Sequence, residues 1–103
     1  MTEDLLRMLV QRQENKQLTA LATIISTAGS APCKAGAKML VFPGGETYGT
    51  IGGGSSEAEA KLRALSVLDT RAPCIVSISM LGADAADIGM VCGGTMDVFI
   101  QPV

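Results

Sequence analysis

The sequence predicts an α/β domain of the two-layer α+β type, with a mixed sheet of about five strands and two main helices in the order α-β-β-β-α-β-β. Two observations carry this expectation. Apolar residues recur at helical spacing near the N-terminus and again between residues 56 and 68, while five other stretches are β-branched or alternate apolar with polar. Glycine and proline clusters separate these stretches, as turns require.

Thr2 is placed to cap a first helix carrying Glu3 and Asp4 in its opening turn, with Leu5, Leu6, Leu9 and Val10 on one face and an end near Glu14 to Gln17. From Leu18 a run of apolar and β-branched residues reads as a central strand covered on both faces, stopped by Gly29-Ser30-Ala31-Pro32. Lys38 to Phe42 and Thr47 to Ile51 flank Pro43-Gly44-Gly45 and predict a hairpin. Ser56 and Glu59 stand at capping-box spacing at the head of a second helix, which places Leu62, Leu65 and Leu68 on one face and allows i,i+4 pairs Glu57–Lys61 and Glu59–Arg63. Arg71-Ala72-Pro73 closes it. Cys74 to Met80 reads as a strand with Val76, Ile78 and Met80 inward. Leu81 to Gly94 reads as a loop, and Thr95 to Gln101 as a last half-buried strand with Met96, Val98 and Ile100 inward.

With 103 residues the chain is expected to form a single domain over 1–103. Only three residues are aromatic and the net charge is −2, which argues against a nucleic-acid partner, since that wants a basic surface and stacking platforms. No stretch is apolar enough to span a bilayer, and the acidic start is unlike a secretory leader. Three widely spaced cysteines without a CxxC pair fit reduced thiols and a cytoplasmic location. Histidine is absent, which leaves no imidazole for acid–base work and no Cys-His dyad.

Two glycine knots draw attention. Gly52-Gly53-Gly54 joins a strand to a helix, where free amides receive an anion or a plain helix start is capped. Glu57 opposes an anion at close range; it either holds the glycine loop through backbone amides or faces donors on a ligand. Gly89-Met90-Val91-Cys92-Gly93-Gly94 sets a thiol in a turn whose amides can form a concavity around the sulfur. Cys33 lies beside Lys34 and is either a reactive thiol or a surface spectator, whereas Cys74 reads as a small buried hydrophobe.

Four segments, Gly29-Ser30-x-Pro32, Gly36-Ala37-Lys38-Met39, Gly49-Thr50-Ile51-Gly52-Gly53-Gly54-x-x-Glu57 and Gly89-Met90-x-Cys92-Gly93-Gly94, together resemble the N-terminal domain of the xanthine dehydrogenase accessory (XdhC/CoxI) family. The resemblance runs in order over nearly the whole chain. It implies an accessory protein rather than an enzyme, one that binds molybdenum cofactor transiently and assists sulfuration and insertion into an apo-molybdenum hydroxylase. It also implies that Ser30, Lys38, Gly52, Gly53, Gly54, Glu57, Cys92, Gly93 and Gly94 surround the cofactor, with Cys92 approaching molybdenum or a transferable sulfur. Two departures stand out: Cys33 replaces an expected basic residue, and the family's Rossmann-like C-terminal domain is expected to be absent here. Expected partners are the apo-hydroxylase, a cysteine desulfurase, a separate Rossmann-type chain and a second copy, the last also suggested by the apolar strand end at Phe99 to Val103. The alternatives are a structural or regulatory subunit that binds no cofactor, and a thiol enzyme using Cys92 or Cys33.

Overall fold

A computed structural model of the chain describes residues 2–29, 33–79 and 94–103. Helix α1 (Thr2–Glu14) precedes strands β1 (Ala20–Ala28), β2 (Lys38–Val41) and β3 (Thr47–Gly49); helix α2 (Gly54–Thr70), β4 (Cys74–Ser79) and β5 (Thr95–Pro102) follow. The strands form one sheet in the order β3-β2-β1-β5-β4. The α+β class, five strands and two helices agree with the sequence reading. The sheet is not mixed, however: all four ladders are antiparallel. The α2 crossover carries the chain from the β3 edge to the β4 edge, and these two codirectional strands never neighbour each other.

The helices lie on opposite faces, each over its own apolar cluster. Against α2 the sheet presents Ala22, Ile24, Met39, Val41, Val98 and Ile100, met by Ala60, Ala64, Val67 and Leu68. The contact stripe of α2 is therefore built on alanines, and Leu62, expected inward, is 69% exposed. Small residues let the helix axis sit close to the sheet; Leu68 is buried and Leu65 packs against the same core, so of the three expected leucines Leu62 alone points away. On the other face Leu5 and Leu9 of α1 cover Leu21 and Leu40. Leu6 and Val10, expected on that same face, are 43% and 52% exposed. Helix α1 packs on β2 and β3, and no other described helix lies on that face of the sheet. The later part of β1, from Ile25 to Ala28, is exposed among the described residues, against the expectation of a strand covered throughout.

Local chemistry explains the joints. Arg12 donates through Nε to Thr19 Oγ1 at 2.6 Å and through Nη2 to the Leu18 carbonyl at 2.7 Å, and its guanidinium lies 4.0 Å from the Phe42 ring centre. One side chain thus fastens the end of α1 to the start of β1 and the end of β2. The hairpin closes through Gly45 N to the Phe42 carbonyl at 2.8 Å and Phe42 N to the Glu46 carbonyl at 2.9 Å. Helix α2 ends on Arg71 at φ 61°, whose amide bonds the Val67 carbonyl.

Candidate functional site

Between β3 and α2 the chain turns through Gly52, Gly53 and Gly54 at φ 127°, 75° and 64°, a run of left-handed conformations that side chains resist. What holds the turn is Glu57, one helical turn further on. Its Oε2 accepts from Thr50 Oγ1 at 2.6 Å, from Gly53 N at 2.8 Å and from Ile51 N at 3.3 Å. Thr50 Oγ1 in turn accepts from Gly52 N at 3.1 Å. Of the two roles open to Glu57, the structure assigns it the first, holding the loop through backbone amides. The capping box does not form. Gly53 is the N-cap, no side chain caps the helix, and Ser56 Oγ donates backward to the Gly53 carbonyl at 2.9 Å. Glu57 is likewise spent on the loop; among the described residues the recorded ion pair is Arg7–Glu3 at 3.6 Å, on the surface of α1.

The turn is closed inside and open outside. Ile51 is fully buried beneath it, whereas a Cβ built on Gly53 or Gly54 would meet nothing within 4 Å. Beside it lies a polar cleft of about 220 Å³ lined by Thr47, Gly54, Glu57, Ala58 and Lys61. An exposed backbone surface next to a lysine can receive a flat or anionic ligand. The Ile51 and Gly53 amides cannot, because a carboxylate already accepts from both.

Strand register decides which other segments share this end of the molecule. Gly49 pairs with Met39, Met39 with Ala22, and β1 then runs on to Ala28, which pairs with Thr95. The glycine turn therefore follows Gly49 at the level of Ala22, whereas Gly29 and Gly94 lie beyond the Ala28–Thr95 pair, further along β1. Gly94 is buried there.

Residues 12–79 match the model of the XdhC and CoxI family. The chain belongs to that family. It is 40% identical over 82 residues to a protein described as uncharacterized, YqeB of Escherichia coli (strain K12), an alignment covering 80% of this chain and 15% of YqeB. Its fold matches the crystal structure of a xanthine dehydrogenase from Bacillus halodurans with a TM-score of 0.76 and 29% identity, over 94% of this chain and 30% of that one. The chain thus spans well under half the length of either relative.

Within this XdhC/CoxI domain the expected site residues divide. Gly52, Gly53, Gly54 and Glu57 form one unit. Lys38 does not join it by any recorded contact: it alternates with Leu40 onto the α1 face, and its Nζ donates to the Gly36 carbonyl at 3.1 Å. Gly94 precedes Thr95, the partner of Ala28, and lies further along β1 than the glycine turn, while Ser30, Cys92 and Gly93 lie outside the described residues. Among the described residues no group of three His, Cys, Asp or Glu side chains is placed to hold a metal. Cys33 and Cys74 are both half-buried and pack against the α2-side core, so Cys33 is neither wholly a surface spectator nor free of the interior.

Sequence reasoning missed two members. Thr50 supplies the shortest bond of the clamp, and the signal was a hydroxyl ahead of the glycines with a carboxylate in the first helical turn behind them. Lys61 lines the cleft, but its i,i+4 spacing from Glu57 pointed to an ion pair instead.

Proposed function

We propose that this domain is an accessory protein that binds molybdenum cofactor transiently and assists its sulfuration and insertion into a xanthine dehydrogenase-type hydroxylase. The observation that carries the reading is the clamped glycine turn: three left-handed glycines, held from within by Glu57, leave a bare backbone surface at Gly53 and Gly54 beside Lys61. Such a surface suits a flat pterin laid against the backbone, with Lys61 countering a phosphate. The residues fit the group with one change of role, since the phosphate falls to Lys61 rather than to the Ile51 and Gly53 amides. The bound group supplies the metal and dithiolene chemistry; the chain binds it, shields it and gives it up.

Partners follow from this reading. An apo-hydroxylase receives the cofactor, a cysteine desulfurase supplies sulfur, and a Rossmann-type chain covers the exposed side of the ligand. Cys92, as the soft donor expected near the metal, belongs to the same proposal together with Ser30 and Gly93. No described helix is long and apolar enough to cross a membrane, which agrees with a protein acting among soluble enzymes.

The saturated Ile51 and Gly53 amides favour one other reading, a subunit that assembles with longer relatives and binds no cofactor. A single experiment separates the two. The chain is purified from a cofactor-producing host, oxidised, and assayed for pterin fluorescence, alongside Lys61→Ala and Gly53→Val variants. Pterin retained by the parent and lost from both variants supports the carrier. A parent without pterin at high micromolar protein overturns it.

A further inference from the structure

We propose that the glycine pair Gly44-Gly45, at the tip of the β2–β3 hairpin, positions Lys61 for the cofactor's phosphate: Gly45 is the bed on which the lysine head lies, and Gly44 is the bed that keeps Glu46 away from it. The inference deepens the carrier reading and rests on it for the identity of the molecule that bears the phosphate.

Opposite charges lie on these adjacent glycines. A Cβ built on Gly45 would stand 3.3 Å from Lys61 Cε and 3.6 Å from its Nζ, and one built on Gly44 would stand 2.6 Å and 3.1 Å from Oε1 and Oε2 of Glu46. Lys61 belongs to α2, so its side chain crosses from the helix to the hairpin. Among the described residues the recorded ion pair is Arg7–Glu3, so Glu46 and Lys61 form none although both reach the tip. Each head has its own stretch of backbone without a Cβ, and this holds the two apart. The hairpin asks for glycine at position 45 on its own account, since φ there is 93° and the amide bonds the Phe42 carbonyl at 2.8 Å. At position 44 it does not, because Gly44 has no left-handed φ. Turn geometry leaves that glycine unexplained, and the Glu46 contact explains it.

The lysine so placed lines the cleft of about 220 Å³ together with Thr47, Gly54, Glu57 and Ala58. That volume is below the roughly 300 Å³ at which small-molecule pockets begin, so the cleft takes one end of the ligand and not its fused rings. A phosphate monoester, with a charge of about −1.5 to −2 at neutral pH, is the end group that needs a cation there. Lys61 is the cation in the lining, and it stands against one carboxylate, Glu57, whose Oε2 already accepts from Thr50, Ile51 and Gly53. Were Lys61 drawn off to Glu46, the charge of Glu57 would dominate the cleft and repel a phosphate. Separation at the hairpin tip thus keeps the cleft fit for an anion.

Titration of the full isotope-labelled chain with inorganic phosphate, followed by NMR at the Gly54 and Ala58 amides, tests this. The parent is expected to bind in the low-millimolar range, and Lys61→Ala to bind about tenfold more weakly. Gly45→Ala is expected to weaken binding about threefold or more in the parent and to have no further effect in Lys61→Ala, because it acts through the lysine. Gly44→Ala, which puts no strain on the backbone, is expected to weaken binding about twofold or more by turning Glu46 onto Lys61, and adding Glu46→Gln to undo that loss. This second arm holds even if Gly45→Ala fails to fold. A parent that binds no phosphate at about 20 mM, losses that persist in Lys61→Ala, or a Gly44→Ala loss that Glu46→Gln leaves in place overturns the inference. Pterin retained by the parent beside such a result leaves the carrier reading standing. Phosphate binding with the expected coupling, in a parent that holds no pterin, upholds the positioning role and removes the carrier reading.

Discussion

The hydroxyl of Thr50 donates to the Glu57 carboxylate at 2.6 Å across the glycine turn, and through this bond the end of β3 and the first turn of α2 become one rigid unit. The same Glu57 oxygen collects two backbone amides, so the carboxylate acts as an internal anion for a loop that would otherwise seek one outside. We expect Thr50→Val and Glu57→Gln each to cost about 1–2 kcal/mol in urea denaturation. A double-mutant cycle should return a coupling of about 1 kcal/mol. Additive losses would show that the two residues act separately.

The glycines around the turn should rank by what surrounds them. Gly49 at φ 88° has Leu5 Cδ1 and the Lys38 carbonyl oxygen each 2.7 Å from where a Cβ would stand, whereas Gly53 at φ 75° has open space. Gly53→Ala should cost about 1 kcal/mol, the backbone term alone. Gly49→Ala should exceed it by at least about 1 kcal/mol, because a backbone oxygen cannot move aside as a side chain can. Equal thermal shifts for the two would contradict this packing.

Arg12 fastens α1 with two hydrogen bonds and an aromatic contact that depend on a planar, forked cation. Arg12→Lys is expected to lower stability by about 1–2 kcal/mol despite keeping the charge. Amide exchange should quicken first in α1, since the fastening lies at its C-terminal end. Lysine that matches arginine in both measurements would reduce the contact to simple charge.

Asp97 should titrate low. Hydrogen bonds from Ser77 first, and then from Ser26, hold its carboxyl below the ordinary value of 3.8. A depressed folded-state value means that the ionised form favours folding: the contribution is fully present above about pH 4 and is lost as pH falls through the folded value. Carboxyl NMR should place the midpoint under 3.8, and Ser77→Ala with Ser26→Ala should return it toward that value. Asp97→Asn should flatten the acid limb of the stability profile. An unshifted midpoint in the parent would remove the bonds from the solution structure.

Much of the architecture was legible in advance because it is written in local periodicity. Alternation in Val76, Ile78, Met96, Val98 and Ile100 announces half-buried strands, and all five side chains are buried. The hairpin was legible from Pro43-Gly44-Gly45. Face assignment on the helices was not, because it depends on what the sheet leaves uncovered. Leu6 and Val10 satisfy the same spacing as Leu5 and Leu9, yet α1 covers too little of the sheet to bury all four. In α2 Leu65 and Leu68 reach the core as expected, but Ala60 and Ala64 share the contact and Leu62 points outward.

The sequence by itself determined the element order, the α+β class, the family and the placing of a Gly52-Gly53-Gly54 turn between a strand and a helix, because these rest on short-range patterns and on residues close along the chain. Strand direction and order, the two-sided placement of the helices and the role of each polar group were decided only in three dimensions. A carboxylate four residues from a lysine reads as half of an ion pair; only the fold puts Thr50, Ile51 and Gly53 within its reach and so turns Glu57 inward and leaves Lys61 to the cleft. Asp97 likewise finds its partners 71 and 20 residues away, at separations where a linear reading carries no information about which groups will meet.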